Sequence, residues 1–532
     1  MRLFVSILGG AATFGALAAC NAIVDADQYR FASGSVSVDA GRDAGPACNV
    51  NADCKGSYQI CRKSTHACVD LITPECDHVQ GDWQDDNAVI FGSVLPTRGA
   101  DKSSGLPPQN ALDLVVSDFA NAGGLPPLPG ATAHRPLALV GCDDNSDADQ
   151  AVRAADHLID VGVPAIVGAA FSGITIQVAN RSTIKNNVLL ISPSATSPEL
   201  TTLIDNGLVW RTSPSDILQA KAAVALYPLI ETELKKTRAT VQVAIAFKGD
   251  SYGSGLANAV SQSLRLNGQP ATATANAENF QFLDYGNPDD PASTLKYDAT
   301  AAAIIAKKPQ VIFLFGVTET ITEIISRIEK GYADNVITPK PTYVLADGSL
   351  LPELPVYLKE HPEVRTRVLG TIYGSNSQAF NVFKTKYAAR VTDGSTADSS
   401  GTSTTYDALY NLAFATVAAG AKPLDGAAIR DGMSKLVPGP QASSWTVGSD
   451  AITNAFRTLL AGNNLDYNGA SGPLDYDLAT GEAASDIQIW CVPKDGNGDP
   501  GSPRPSGGTY YRASDGTLQG TLDDISSGCQ FK

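Results

Sequence analysis

Residues 163–201, VPAIVGAAFSGITIQVANRSTIKNNVLLISPSATSPELT, decide the fold of this chain. The segment contains two short apolar runs, 165–168 and 188–191, and each run ends in small and hydroxyl residues that lead into a helical pattern. Short apolar runs that are bounded by turn residues and alternate with helices are typical of buried parallel strands in βαβ units. The segment therefore predicts an α/β fold built on parallel sheets.

Hydroxyl side chains follow both of these predicted strands. Ser172 stands after the first run, and Ser194 and Thr196 stand after the second. In an open parallel sheet, ligands bind outside the carboxyl ends of the strands, where backbone N–H groups and helix N-termini favour an anion. Each hydroxyl taken alone is more often a helix cap than a ligand contact. Their occurrence on neighbouring strand ends favours a shared pocket for a carboxylate, with helix capping as the alternative.

The composition describes a soluble globular chain. Its 532 residues are too many for one core and suggest about three domains. Hydrophobic residues make up 43% of the chain, charged residues make up 18%, and the mean hydropathy is -0.05. The net charge of -16 argues against nucleic-acid binding, which needs clustered Lys and Arg. With only two Met and five His, we expect no metal site and no cofactor.

The N-terminus has the pattern of an export signal. Arg2 precedes a short apolar stretch, and Leu17-Ala18-Ala19-Cys20 resembles a bacterial lipobox. We therefore predict a lipoprotein signal peptide over 1–19, a lipid on Cys20, and a flexible tether over 20–47. An ordinary signal peptide with an incidental cysteine is the alternative. The prediction implies an exported protein on the cell envelope, in a Gram-negative bacterium, with its lipid in the membrane.

A small cysteine-rich module is expected over 48–85. So short a segment cannot bury a core of its own, and after Cys20 an even number of cysteines remains for an oxidising compartment. Zinc is the alternative, with His66 and His78 as further ligands, but the paired C-x2-C spacing of structural zinc sites is missing. The sequence does not fix the pairing, although Cys491 with Cys529 would close the C-terminal segment. The cysteines expected to form disulfides are Cys48, Cys54, Cys61, Cys68, Cys76, Cys142, Cys491 and Cys529.

Beyond residue 86, predicted strands and helices alternate in two series. Two such series joined by crossings predict two doubly wound lobes that face a cleft and share a multi-strand hinge. We assign 86–215 with 373–465 to the first lobe and 216–372 with 466–532 to the second. Segments 472–477 and 486–492 are predicted to form a late hairpin.

The strand ends of the second series carry an aromatic and an acidic group. Tyr252 follows one strand and supplies either a wall of the site or turn packing. Asp347 ends another strand and is either a plain Asp-Gly turn or a partner for an ammonium. An anion site on one lobe and a carboxylate on the other describe a clamp for a zwitterion. Such a clamp closes only when both lobes touch the ligand.

From about residue 86 to 495 the chain resembles the type I periplasmic binding proteins of the leucine/isoleucine/valine-binding family, the substrate-binding proteins of branched-chain amino acid ABC transporters. The matching motifs are ISPSATSPELT at 191–201, VAIAFKGDSYGSGLA at 243–257 and YNGASGPLDYDLATG at 467–481. The resemblance implies the type I periplasmic binding fold. The chain departs from the branched-chain binders of that family at the turn 318–319, which lacks their aromatic pair, so a leucine-like ligand does not follow from the resemblance. The residues expected to contact the ligand are Ser172, Ser194, Ala195, Thr196, Tyr252, Thr318, Glu319 and Asp347.

The function predicted from these features is capture of an amino acid or similar small polar ligand by a monomeric, lipid-anchored receptor. The resemblance implies an ABC permease as its partner, and the alternative is a ligand sensor of the same fold without a transporter. An enzyme is not expected. Neither Ser172 nor Ser194 lies in a G-x-S-x-G elbow, and none of the five histidines follows a pocket-forming strand.

Overall fold

The computed structural model describes residues 47–529, except for 375–376, 421–422, 440–441 and 449–450. The predicted signal peptide, Cys20 and, apart from residue 47, the predicted tether lie outside the described residues. Within the described part of the chain, no helix has both the length and the apolar character needed to cross a bilayer.

Strands and helices alternate along most of the described chain. The strands are β1 Gln59–Arg62, β2 Ala67–Asp70, β3 His78–Gly81, β4 Val89–Leu95, β5 Leu137–Asp143, β6 Ala165–Gly168, β7 Leu189–Ser192, β8 Val209–Arg211, β9 Val243–Phe247, β10 Arg265–Leu266, β11 Gln269–Pro270, β12 Phe280–Asp284, β13 Val311–Phe315, β14 Thr342–Leu345, β15 Val368–Tyr373, β16 Ser443–Thr446, β17 Leu465–Asn468, β18 Tyr476–Asp477, β19 Glu482–Ala483, β20 Ile487–Cys491, β21 Arg504–Arg512 and β22 Thr517–Gln519. The helices are α1 Leu106–Asn121, α2 Ala148–Val161, α3 Ser172–Val178, α4 Asp216–Lys235, α5 Ser251–Ser263, α6 Tyr297–Lys307, α7 Ser326–Asp334, α8 Glu353–Glu360, α9 Gln378–Arg390, α10 Thr402–Ala419, α11 Gly426–Met433, α12 Ile452–Leu460 and α13 Leu522–Cys529.

The first lobe is built on a sheet with the strand order β18-β19-β8-β7-β6-β4-β5-β3. The strands from β8 to β5 run parallel, and β6 and β7 are neighbours. Every residue of β6 and β7 is buried, because one face of the sheet packs on α1 and α10 and the other on α2 and α3. Burial on both faces explains why these strands are continuous apolar runs.

The second lobe is built on a sheet with the order β12-β9-β13-β14-β15-β20-β21-β22. The strands from β12 to β15 run parallel, and β20, β21 and β22 add an antiparallel edge. Helices α4, α5 and α13 pack on one face, and α6, α7 and α8 pack on the other. The predicted architecture of two doubly wound lobes is confirmed.

The chain crosses between the two sheets after β8, after β15 and between β19 and β20. These three crossings form the predicted multi-strand hinge. After the second crossing, α9, α10, α11 and α12 return to pack in the core of the first lobe. Three connections allow the lobes to move relative to one another without unfolding either core.

The predicted late hairpin is wrong. Strand β18 pairs with β19, which joins β8 of the first sheet, whereas β20 pairs with β15 of the second sheet. The chain changes lobes between the two segments, and an alternating apolar pattern does not reveal which partner strand a segment joins. The predicted second lobe begins again at residue 466, but β18 and β19 lie in the sheet of the first lobe.

All eight cysteines expected to form disulfides do so. The pairs are Cys48–Cys61, Cys54–Cys68, Cys76–Cys142 and Cys491–Cys529. The zinc alternative fails for the first module, because its thiols are used in these bonds. Strand β3 of the module pairs with β5, and Cys142 lies in β5, so the module is joined to the first lobe both by a shared sheet and by a covalent bond.

Candidate functional site

A cavity of about 420 Å³, part of it open to solvent, lies between the lobes at the carboxyl ends of their strands. The turns after β6 and β7 line it from the first lobe, and the turns that follow β9, β13 and β14 line it from the second. The residues that line this cleft cavity are Ser104, Ala170, Phe171, Ser172, Ser194, Tyr252, Val317, Asp347, Gly348, Leu351 and Ser400. Four residues predicted on separate strand ends, Ser172, Ser194, Tyr252 and Asp347, therefore lie around one space.

The two serines link the neighbouring turns of the first lobe. Ser194 Oγ donates to the carbonyl of Ala170 at 2.9 Å, and Ser172 Oγ accepts from the Ser197 N–H at 3.2 Å. The helix-capping alternative does not hold for Ser172, because this serine is the first residue of α3 and Phe171 occupies the cap position without a side-chain bond. The Ser172 oxygen acts as an acceptor in this link, so its own hydrogen is available to a group in the cavity.

Tyr252 and Asp347 form a hydrogen-bonded pair on the second lobe. Tyr252 OH donates to Asp347 Oδ1 at 2.8 Å and accepts from the Gly348 N–H at 3.1 Å. Gln219 Nε2 donates to the same Asp347 oxygen at 2.6 Å. Asp347 is only 3% exposed, and this burial raises the pKa of its carboxyl above the ordinary range.

A second carboxylate lies behind Asp347, and the sequence reasoning missed it. Asp216 is fully buried; it accepts from Thr196 Oγ1 at 3.0 Å and from Gln219 Nε2 at 3.2 Å. Burial, followed by repulsion from Asp347, raises the pKa of Asp216 well above its usual value. Thr371 Oγ1 donates to Gln219 Oε1 at 2.9 Å and fixes the amide so that its nitrogen faces both carboxyls.

The other predicted residues are close to the cavity but do not line it. Thr196 directs its hydroxyl to Asp216, and the Ala195 carbonyl accepts from Arg211 at 3.3 Å. Glu319 accepts from Tyr285 OH at 2.8 Å and from a backbone N–H at 3.1 Å, and burial raises the pKa of its carboxyl. Thr318 has a buried hydroxyl oxygen with no hydrogen-bond partner in the described part of the chain.

Direct contacts between the lobes surround the cavity. Lys248 of the second lobe lies 5.2 Å from the ring centroid of Phe171 in the first, and it is held by Asp250 at 3.2 Å and by Asp289. A Cβ placed on Gly255 of α5 would lie 3.0 Å from Pro198 Cδ of the first lobe. The lobes are thus in contact at the rim of the cavity, which is a closed arrangement.

The sequence profile described as "Periplasmic binding protein" matches residues 88–497 of this chain. The chain belongs to this family. The predicted membership among type I periplasmic binding proteins is confirmed, and the family is one of solute-binding proteins rather than enzymes.

The matches between this periplasmic binding protein and individual relatives cover only part of each relative's length. The Leu/Ile/Val-binding protein BraC3 of Rhizobium johnstonii is 30% identical over 182 residues, which cover 34% of this chain and 45% of that protein. The Leu/Ile/Val-binding protein of Escherichia coli K12 is 28% identical over 243 residues, with 43% and 60% covered. The chain thus spans roughly half to three fifths of the length of these curated relatives.

A solved structure shows the same fold over a longer range. The leucine-binding protein LivK of Thermotoga maritima has a TM-score of 0.56 at 18% identity, with 79% of this chain and 99% of that chain covered. At this identity the likeness concerns the fold alone.

Proposed function

We propose that this periplasmic binding protein captures an α-amino acid, or a close analogue, in the cleft cavity and delivers it to an ABC importer. The observation that supports this most is the buried Asp347 carboxyl facing the cavity. Among the described residues, no Lys, Arg or His forms an ion pair with Asp347 or Asp216. Buried carboxylates are costly unless they are paired, and a ligand ammonium supplies the missing charge.

The first lobe complements this with the hydroxyl group of Ser172, whose hydrogen is available to a carboxylate, while the Ser194 hydrogen is held by the Ala170 carbonyl. Ser172 and Ser194 lie on the opposite wall from Asp347, and Tyr252 closes the side of the cavity. A ligand with both an ammonium and a carboxylate contacts both lobes at once, so its binding energy favours the closed state. The curated relatives are named for leucine, isoleucine, valine or threonine, which fits a zwitterionic ligand.

The lipid anchor on Cys20 remains part of the proposal. It would hold the receptor at the membrane face where an importer takes up the ligand. It is tested by labelling cells with a radioactive fatty acid, with Cys20→Ala as the unlabelled control.

Calorimetric titration with α-amino acids at several pH values tests the proposed ligand class. The raised pKa values of Asp347 and Asp216 mean that the ligand-free site holds protons at a pH where ordinary carboxyls are ionised. An ammonium needs the ionised form, so affinity should increase as the pH rises above the range in which ordinary carboxyls ionise. Over the same rise, the ligand-free protein should lose stability, because a carboxyl whose folded-state pKa is raised stabilises the fold only while it is protonated.

The control ligands are analogues that lack either the amine or the carboxylate. Each should bind much more weakly than the parent amino acid, and the deaminated analogue should not gain affinity with rising pH. Equal binding of all three ligands would contradict the proposal.

A variant at Gly255 tests whether binding needs closure. Gly255→Leu places a side chain where Pro198 of the other lobe lies, so the lobes are held apart. We expect ligand affinity to fall by at least about tenfold, because the closed state becomes rare. The melting temperature without ligand should change little, since neither core is altered. Asn258→Leu, on the exposed side of the same helix, is the matched control; equal affinities in the two variants would argue against closure.

A further inference from the structure

A second, larger cavity adjoins the cleft cavity at the hinge. It encloses about 1180 Å³, part of it open to solvent, and we call it the hinge chamber. Ser400 lines both cavities, and the adjacent residues Leu350 and Leu351 line one each. Ser400 Oγ lies 3.4 Å from Tyr373 OH, so Ser400, which touches both spaces, stands at the boundary between them.

One wall of the hinge chamber comes from a segment beyond the family match. The match ends at residue 497, whereas residues 503–507 at the start of β21 line the chamber. Strand β21 pairs with β20, and the Cys491–Cys529 disulfide ties the end of this segment to β20. Arg365 donates to the carbonyls of Val492 at 2.9 Å and Cys529 at 2.7 Å, which holds the segment at both ends. The wall is therefore a fixed part of the second lobe.

The interior of the chamber is mainly apolar. Ile372, Phe380, Trp490 and Pro505 contribute to its lining. Of the charged residues in its lining, Lys384 Nζ donates to Asp398 Oδ1 at 2.7 Å, and Arg504 is exposed to solvent. A chamber with apolar walls, whose charged groups are either paired or in contact with water, favours an apolar group over an ionic one.

We propose that the hinge chamber receives the side chain of the bound amino acid and that this side chain is a large aromatic one. This inference rests on the proposed function, because the ammonium and carboxylate must first be held in the cleft cavity. The side chain passes Ser400 and packs against Phe380 and Ile372. Aromatic side chains bury a large apolar area and pack well against other rings.

The test compares tryptophan with leucine by calorimetry on the wild type and on two variants of α9. Asn381 is exposed and lines the hinge chamber, whereas the next residue, Val382, is 52% exposed and does not line it. Asn381→Trp fills the chamber, and Val382→Trp is the matched control. Melting curves of both variants establish that they are folded.

The wild type should bind tryptophan about tenfold more tightly than leucine, as expected for additional buried apolar surface. Asn381→Trp should lower the affinity for tryptophan about tenfold and change the affinity for leucine by less than about twofold. Val382→Trp should change neither affinity. If leucine binds and tryptophan does not, or if Asn381→Trp leaves tryptophan binding intact, the inference is overturned and the proposed function stands. If no α-amino acid binds, both are overturned.

Discussion

Asp347→Asn should weaken binding of an α-amino acid by roughly 2 kcal/mol, or about thirtyfold, because it removes a charge-assisted hydrogen bond to the ammonium. Asparagine keeps the size of the side chain and an oxygen that can accept from Tyr252 and Gln219, so the cavity keeps its shape. Calorimetric titration measures the loss. The variant should also lose most of the increase in affinity with pH, since the carboxyl that must ionise is gone.

A deaminated analogue of the same amino acid is the control ligand. It has no ammonium, so wild type and Asp347→Asn should bind it with affinities within about twofold of each other. Equal affinity of the two proteins for the complete amino acid would show that the ammonium lies elsewhere. In that case Asp347 would be a buried turn residue whose charge is never used.

Arg211→Met should destabilise the protein by about 3 kcal/mol, because it leaves Glu482 without its partner in a mostly buried position. The guanidinium is 2% exposed and pairs with Glu482, and it also donates to the carbonyls of Ala195 and Ser197 at 3.3 and 2.9 Å. Those carbonyls belong to the turn that carries Ser194. We therefore expect weaker ligand binding together with the lower stability, both measurable by denaturant unfolding and titration.

The same substitution on the surface gives a matched control. Arg327 pairs with Asp298, whose side chain is 93% exposed, so Arg327→Met should cost less than about 1 kcal/mol. Glu482→Gln should also lower the free energy of unfolding by less than Arg211→Met does, because Arg211 then keeps an uncharged hydrogen-bond acceptor. An unfolding free energy of Arg211→Met equal to that of the wild type would mean that the turn is held by its serines alone.

The positions of the ligand-facing turns could be predicted because they depend on short-range patterns. An apolar run ends, a small or polar residue follows, and a helix begins; parallel strands then bring these ends to one edge of a sheet. These patterns are sufficient to place Ser172, Ser194, Tyr252 and Asp347 at the same cleft. They do not depend on which strands are neighbours across the lobes.

The direction of each side chain could not be predicted in the same way. Thr196 lies two residues after Ser194, and Glu319 two after Val317, yet both turn away from the cavity towards Asp216 and Tyr285. Within a turn, the path of the backbone decides the direction, and tertiary packing sets that path. A residue count from the end of the strand is therefore too coarse to separate lining residues from supporting ones.

The Asp216–Gln219 pair could not be predicted from the sequence for a related reason. In the sequence it is an ordinary helix start, with Ser215 as the N-cap and an acidic residue in the first turn, a pattern common on exposed helices. Only the packing of α4 beside β15 at the hinge buries the carboxyl and brings Thr371 to the amide. No spacing within residues 213–219 signals this.

The bond between Cys76 and Cys142 means that the N-terminal module and the first lobe behave as one body. Together with the pairing of β3 with β5, it links them so that any attachment upstream of residue 47 acts on the first lobe and reaches the second only through the hinge. The second lobe can then open and close without displacing the module. A docking partner that recognises the module and the first lobe together would contact the same surface in the open and the closed state.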